Sequence, residues 1–472
     1  MAKKKIVLFI VAISLVVIAT FSLVILINLQ HKSTALLKTY VYGLDEKNYI
    51  ANTVHTTANG GYIVSGNIST ASGNGWKGSG SFLMKVDSFL NPQWSKTFPF
   101  DDSWDIPTKD GFAVLGSDYQ CFYLIKLDNN GNVLWSKKYA GLGGLSHFSF
   151  LERGIFTETS DGGFIAVGNF SKPSNDYRTK KQGALVVKFD RNGNVQWTKM
   201  YESRNDFGAA TISSLGVKEL PNKHFIAAMS IQDAALFTGG GGVYGTANDF
   251  LIMEIDTNGN IVYARRVGRS KSNEIPTSII LNTNGGCTVS GWGLTVTAEG
   301  PNSTNATVDI PLVQLDSTGN VVSCKDYKIN SKHAACGYAD IAPDGGCIIA
   351  SGAFLRLNNN GKVMWTKGSN DYPVSFVEKS NDGYVAIGNS SPLFPQHVSK
   401  KAKGNFFIIK FKNNDLNKAI FKNVNVKTDA LYLDINTSIN LEVSDVDVKG
   451  ISVSSVKVKT GKIKFKEINT IN

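Results

Sequence analysis

The sequence predicts an all-β fold behind a single membrane-crossing helix, and three observations carry that prediction. A short phrase recurs: residues 128–139 read "DNNGNVLWSKKY", 190–201 "DRNGNVQWTKMY", 256–263 "DTNGNIVY" and 358–367 "NNNGKVMWTK". The composition is rich in Gly (46), Phe (26) and Tyr (16) and only 18% charged. Turn signals recur through the chain, and helix-period apolar patterns are nearly absent after residue 30. The third observation is the N-terminus, where one long apolar run stands apart from everything that follows.

That run follows "MAKKK" and extends from Ile6 to Ile27, broken only by Ser14, Thr20 and Ser22. As a helix rising about 1.5 Å per residue it reaches roughly 33 Å, enough for a hydrocarbon core of about 30 Å. It is longer than the apolar stretch of a cleavable signal, and no A-x-A-like site follows it. No Cys lies nearby to accept a lipid. Lys3, Lys4 and Lys5 place the N-terminus in the cytoplasm by the positive-inside rule. Residues 1–30 are therefore read as a cytoplasmic tip and uncleaved signal anchor in the cell membrane, with the remainder extracytoplasmic. A removed signal peptide is the alternative.

The repeat supplies the rest of the architecture. Each copy carries a turn leading into an apolar strand: "NGGYIVSG" (59–66), "KDGFAVLG" (109–116), "DGGFIAVG" (161–168), "NGGCTVSG" (284–291), "DGGCIIASG" (344–352), "NDGYVAIG" (381–388) and the degenerate "NKHFIAAM" (222–229). A third strand follows each, with Lys85, Lys126, Lys188, Glu254, Gln314, Arg356 or Lys410 among apolar neighbours. One polar place in a period-two pattern predicts a sheet with one side wetter than the other. The opening phrase is then a hairpin. Asp128, Asp190, Asp256 and Asp316 accept from the backbone just ahead, and Gly131, Gly193, Gly259, Gly319 and Gly361 supply positive φ. Its fourth strand opens with Trp94, Trp135, Trp197, Tyr263 or Trp365.

Seven four-stranded sheets cannot bury both faces alone, so residues 31–424 are read as a seven-bladed β-propeller, with a β-solenoid as the linear alternative. "ALLKTYVYG" (35–43) matches a fourth strand and is expected to complete the seventh blade, unless "AIFKNV" (419–424) fills that place. Residues 425–472 alternate Val and Ile with Lys, Asp and Ser, and are expected to form a β-hairpin appendage or an interaction tail.

With these repeats in place, residues 35 to 424 resemble the bacterial exported β-propellers built from "DGGyivaG … lvlKlDsnGnv.Wsk" repeats, a family mostly without assigned activity. The resemblance implies seven blades and extracytoplasmic placement and implies no reaction. Copies four and five depart most from its pattern.

Chemistry is faint in the sequence. Irregular inserts at 69–81, 171–183, 232–249, 293–309 and 390–404 predict an uneven rim, tall on blades four and five. Lys180, Lys181, Lys400, Lys401 and Lys403 make either solvated loops or a basic rim for an anionic polymer. Trp104 stands in "FDDSWD" beside Asp101, Asp102 and Asp105, where carboxylates and an aromatic suit sugar binding or glycosidic chemistry, or simply pack a polar turn. The six His are scattered without metal-ligand spacing, and the Gly239–Gly242 run lacks the G-K-[ST] ending of a phosphate loop. Five cysteines without C-x-x-C spacing argue against zinc; Cys324 and Cys336 are the candidate disulfide, and Cys287 and Cys347 are expected as buried thiols. No cofactor, metal or nucleic acid is expected. The reading is a membrane-anchored binding or scaffolding module for a protein, glycan or other wall polymer, with a polymer-acting hydrolase or lyase at the axis as its competitor.

Overall fold

The computed structural model describes residues 36–42, 47–72, 75–100, 102–117, 121–140, 147–149, 155–171, 182–203, 211–232, 248–269, 272–298, 304–329, 337–369, 373–390, 405–412, 416, 421–430, 435–438, 441–445, 452–455 and 465–468. Their strands form seven sheets. Blade one runs outward through Lys47–Thr56, Tyr62–Ser72, Gly75–Val86 and Pro92–Phe98. Blades two, four, five and six repeat that order from inner strands Asp102–Thr108, Thr211–Glu219, Ser272–Leu281 and Tyr338–Ile341. In blade three two short pieces, His147–Ser149 and Phe156–Glu158, share the innermost place.

Blade seven is assembled from both ends of the chain. Val374–Ser380, Gly383–Ser390 and Asn405–Phe411 are joined by the N-terminal strand Leu36–Tyr42, antiparallel from Leu36 opposite Lys410 to Tyr40 opposite Phe406. Of the alternative segment 419–424, the described residues 421–424 do not take that place, because Lys422 bridges Gly368 of blade six. Each adjacent pair of blades encloses its own apolar core, giving seven cores for seven seams. The closing seam stacks Phe82 of blade one on Phe406 of blade seven, with centroids 5.6 Å apart. A linear stack of coils would leave its two end sheets uncovered; here no end exists, so the ring is a closed seven-bladed propeller.

The recurring phrase has two jobs, only one of which is local. Asp128 Oδ1 accepts the amides of Asn130 and Asn132 at 2.8 Å, and Asp190, Asp256 and Asp316 repeat the arrangement. Gly193 holds φ at 72° as the hairpin demands. In blade one Leu90 occupies the equivalent place at φ 67°, and Lys223 replaces the first-turn glycine of the degenerate fourth copy at φ 71°. The second job lies between blades. A Cβ on Gly193 would come within 2.8 Å of the Trp135 ring, and one on Gly259 within 3.1 Å of Trp197. The aromatic of one blade thus seats against the glycine of the next. The tyrosine four residues later secures the same joint: Tyr139, Tyr201 and Tyr327 donate to the carbonyls of Gly193, Gly259 and Gly361 at 2.5, 2.7 and 2.6 Å. Blade four has Val267 there, and Arg265 Nε reaches the Gly319 carbonyl instead, at 3.1 Å.

The polar place on the third strand is not a wet face. Lys85, Lys126, Lys188, Glu254 and Arg356 are all buried. Most pair with a residue of their own blade's first turn: Lys188 with Asp161 at 2.9 Å, Glu254 with His224 at 2.7 Å, Arg356 with Asp344 at 2.6 Å and Lys410 with Asp382 at 3.1 Å. The period of two was read correctly, but both faces of every blade are covered by neighbours, so the charge needed a partner.

Among the described residues the last segment forms no hairpin of its own. Val426–Ala430 adds a fifth strand to blade five, Ile435–Ser438 to blade four, Leu441–Asp445 to blade three and Ser452–Ser455 to blade two. Phe465–Ile468 then pairs with the N-terminal strand of blade seven. The tail is a belt that retraces the ring backward along its outer edges. Its alternating pattern reads as strands because each piece is one, yet no two pair with each other.

Two of the predicted inserts also prove regular. Residues 69–72 and 75–81 continue the second and third strands of blade one, with Ser72 opposite Gly75, and 293–298 and 304–309 do the same in blade five, with Ala298 opposite Thr304. Among the described residues no helix is long and apolar enough to cross a membrane, and the expected span Ile6–Ile27 lies outside them.

Candidate functional site at the ring axis

The inner strands of all seven blades line one cavity of about 370 Å³. Its ionisable lining consists of His55, Asp105, Glu158, Lys218, Asp340 and Glu378, from six different blades, and Trp104, Phe156, Tyr338 and Phe376 are its aromatic lining. These side chains are far apart in sequence and meet only because each inner strand runs beside the axis.

Most of the acids here already have work between blades. Glu378 of blade seven accepts the Thr56 amide and hydroxyl of blade one at 2.8 and 2.9 Å, and its other oxygen meets His55 Nδ1. Burial works against a charged imidazole, but the charge and hydrogen bond of Glu378 lift His55 to about 9, so the ring is cationic at neutral pH. Burial likewise works against the Glu378 carboxylate, and His55 with Thr56 still holds it below the ordinary range. Asp340 of blade six accepts the amide of Lys379 in blade seven at 2.7 Å. Burial and then the charge of Glu378 push Asp340 upward. Glu158 of blade three accepts the Lys109 amide of blade two at 3.0 Å.

A side-chain acceptor for a neighbouring blade's amide recurs in three further seams. Glu219 takes the amide and hydroxyl of Ser160 at 2.6 and 2.7 Å between blades three and four. Asn273 takes the Asn248 amide at 3.0 Å between four and five, and Ser278 takes that of Ala339 at 2.8 Å between five and six. Between blades one and two, Thr53 donates to Asp105 Oδ1 at 2.5 Å. Asp105 differs from the rest: its Oδ2 is buried with no hydrogen-bond partner.

A second polar centre lies in the seam of blades four and five. Arg269 contacts Glu274, Asp309 at 3.3 Å and Asp326 at 3.5 Å, while Arg266 meets Asp249 at 2.5 Å. The four carboxylates are buried, and burial raises Glu274 to about 7 against the opposing pull of Arg269. Burial and the neighbouring Asp309 raise Asp326 to about 7. Glycine is needed for close approach: a Cβ on Gly293 would sit 1.7 Å from Asp309 Oδ1. This centre is a seam network, and among the described residues no group of three or more His, Cys, Asp or Glu is placed to hold a metal ion.

The residues singled out from the sequence fare unevenly. Lys180, Lys181, Lys400, Lys401 and Lys403 lie outside the described residues. Trp104 is not on a rim: "DSWDIPT" is the inner strand of blade two, and Trp104 is buried in the core shared with blade three while lining the cavity. The segment looked like a turn because acids crowd it, but Asp102 and Asp105 lie in a strand. Cys324 carries no disulfide, and Cys336 lies outside the described residues. Cys287 and Cys347 are buried as expected, and burial pushes both thiols up to about 12. His55, Asp340 and Glu378 were missed. The signal was present as a polar residue just before the first turn, in "HTTANGG", "ADIAPDGG" and "VEKSNDG".

No family model and no curated protein matches the chain. Among solved structures it is similar to a protein of unknown function from Dyadobacter fermentans, at 11% identity over 81% of this chain and 100% of that one, with a TM-score of 0.43. It is also similar to the polysaccharide lyase Uly1 (8% identity, 81% and 98% covered, TM-score 0.45) and to the Dos1 propeller (11%, 80% and 93%, TM-score 0.40). None of these likenesses bears on substrate or partner.

Proposed function

We propose that this chain is a binding or scaffolding propeller, tethered to the cell membrane through residues 6–27 and holding its ring outside the cytoplasm. Its partner is a protein, glycan or other wall polymer, met at the end of the ring where the inserts attach. One observation carries this reading: Glu158, Asp340 and Glu378 at the axis each accept an amide of the adjacent blade, so they serve the ring before any substrate. The inserts at 171–183, 232–249 and 390–404 all join second to third strands, hence at one end of the axis. The family resemblance in the repeats implies an exported propeller and implies no reaction.

The test is cosedimentation of the full chain, in detergent micelles, with insoluble cell-wall polymer. Saturable sedimentation that falls when Lys180, Lys181, Lys400, Lys401 and Lys403 are changed to Ser supports an anionic wall polymer at the rim. A hydrolase or lyase is the second reading, favoured by the acids Asp105, Glu158, Asp340 and Glu378 converging with His55 on one cavity. Release of reducing ends by the wild type and not by Asp105→Asn would replace the binding reading with that one.

A further inference from the structure

We propose that the hairpin end of the ring, where third strands turn into fourth, lies on the surface of a lipid bilayer through a circle of exposed apolar side chains. The inference rests on the tether proposed above and assigns the end of the ring that the tether brings to the lipid. Phe89, Leu134, Val262, Val322 and Met364 are 52–69% exposed. Phe89 lies in the hairpin of blade one, and the others are the second residue of the fourth strand in blades two, four, five and six. The ladder slips at that place: Lys126 faces Trp135 and Leu127 faces Val133, so Leu134 is a bulge residue with no partner across the sheet. Val262, Val322 and Met364 stand at the same slip. A bulge re-aims its side chain, and these four leave the seams that bury their neighbours. Blades one and three carry Gln93 and Gln196 there. One exposed apolar residue is ordinary; a shared repeat place at one end of a ring is a surface. Among the described residues, every large apolar side chain that is exposed lies at this end except Ile50, which sits toward the insert end of blade one.

The chain enters the ring from the same end. Leu36 faces Lys410, as Trp94 faces Lys85 and Trp197 faces Lys188 beside their hairpins. Residues 28–35 therefore separate the proposed span at 6–27 from the hairpin end, a reach of at most about 28 Å. The inserts at 171–183, 232–249 and 390–404 attach at the opposite end, so a ring held this way keeps them clear of the lipid. Arg191, Lys362 and Lys412 are exposed at the hairpins and suit phosphate headgroups. The hairpin aspartates share that end, and Asp190 and Asp256 are already engaged by amides of their own turns.

Photolabelling of the full chain in phosphatidylcholine–phosphatidylglycerol vesicles tests the contact, with a trifluoromethyl-phenyldiazirine dissolved in the bilayer and adducts mapped by peptide mass spectrometry. Adducts are expected in residues 6–27 and in the peptides holding Phe89, Leu134, Val262, Val322 and Met364. The hairpin adducts should exceed those in the peptide holding Ile50 about fivefold or more, since shallow insertion brings apolar groups to the acyl boundary. Combining Phe89→Ser, Leu134→Ser, Val262→Ser, Val322→Ser and Met364→Ser should lower the hairpin adducts by about the same factor and leave those in 6–27 unchanged. Hairpin peptides labelled no more than the Ile50 peptide would overturn the docking, while adducts in 6–27 alone would uphold the tether. Adducts in the hairpins without any in 6–27 would remove the tether and keep the contact with lipid. Unlabelled hairpins with cross-links between copies would give the face to a second chain and overturn the proposal. Should the combined variant fail to fold, the wild-type contrast with Ile50 decides alone.

Discussion

The hub and the perimeter of this ring are held by different chemistry. At the hub, blades are joined by side chains reaching backbone amides: Glu378 to Thr56, Asp340 to Lys379, Glu158 to Lys109. At the perimeter, beside the Tyr139-type joints, main chain pairs with main chain in a tail that lays one short strand on each of five blades. The hub is therefore titratable and sensitive to single substitutions. The belt rests on backbone pairing and should fail when the chain is cut.

The largest effect should come from removing the strand that serves both regions. Deleting residues 36–42 strips blade seven of its fourth strand and the tail of its last anchor, Thr39 lying between Phe407 and Ile468. The expected outcome is loss of cooperative unfolding, read by near-UV circular dichroism and calorimetry; a sharp transition near the wild-type temperature would show that the ring closes without its clasp. Ending the chain after residue 425 is the next test. The seven seams remain, so a folded but less stable ring is expected, weaker by on the order of 5 kcal/mol or more at about 1 kcal/mol for each net hydrogen bond. An unchanged melting temperature would make the belt ornamental.

Glu378→Gln probes the hub and should cost about 3 kcal/mol, since it takes from the mostly buried His55 the anion that offsets burial of its charge. This effect must depend on pH. The folded pKa of His55 is raised from 6.5 to about 9, so its contribution is fully present below about 6.5 and lost as pH rises through about 9. Glu378 is depressed, so its share is lost as pH falls below its ordinary 4.5. The gap in melting temperature between wild type and variant should be widest between those limits and should close above pH 9. A gap that persists at pH 10 would mean packing, not charge, holds the hub. The smallest effect is expected from Tyr327→Phe, which removes one bond to the Gly361 carbonyl and should cost about 1 kcal/mol in urea unfolding.

The contrast also explains what could be read from sequence. The hairpin phrase was legible because Asp128, Gly131 and Trp135 lie within a few residues and each turn repeats the same local demand. Seven copies and a matching orphan strand then gave the ring and its closure. The packing of Trp135 on Gly193 was invisible, since nothing in one copy says which neighbour it meets. The axial group was missed for a related reason: His55 and Glu378 stand 323 residues apart, and each looks like an ordinary strand residue at home. The tail hid best of all. Its partners are backbone groups, which leave no residue signature, so Val426–Ala430 could have paired with any open edge.

The belt sets the order in which the protein can be completed on the ribosome. Five of the seven blades emerge with their outer edges unlatched, and the strand nearest the N-terminus waits for partners made hundreds of residues later. Because Phe465–Ile468 closes onto that strand, a chain cut before it yields a ring whose seams can form but whose circumference stays undone.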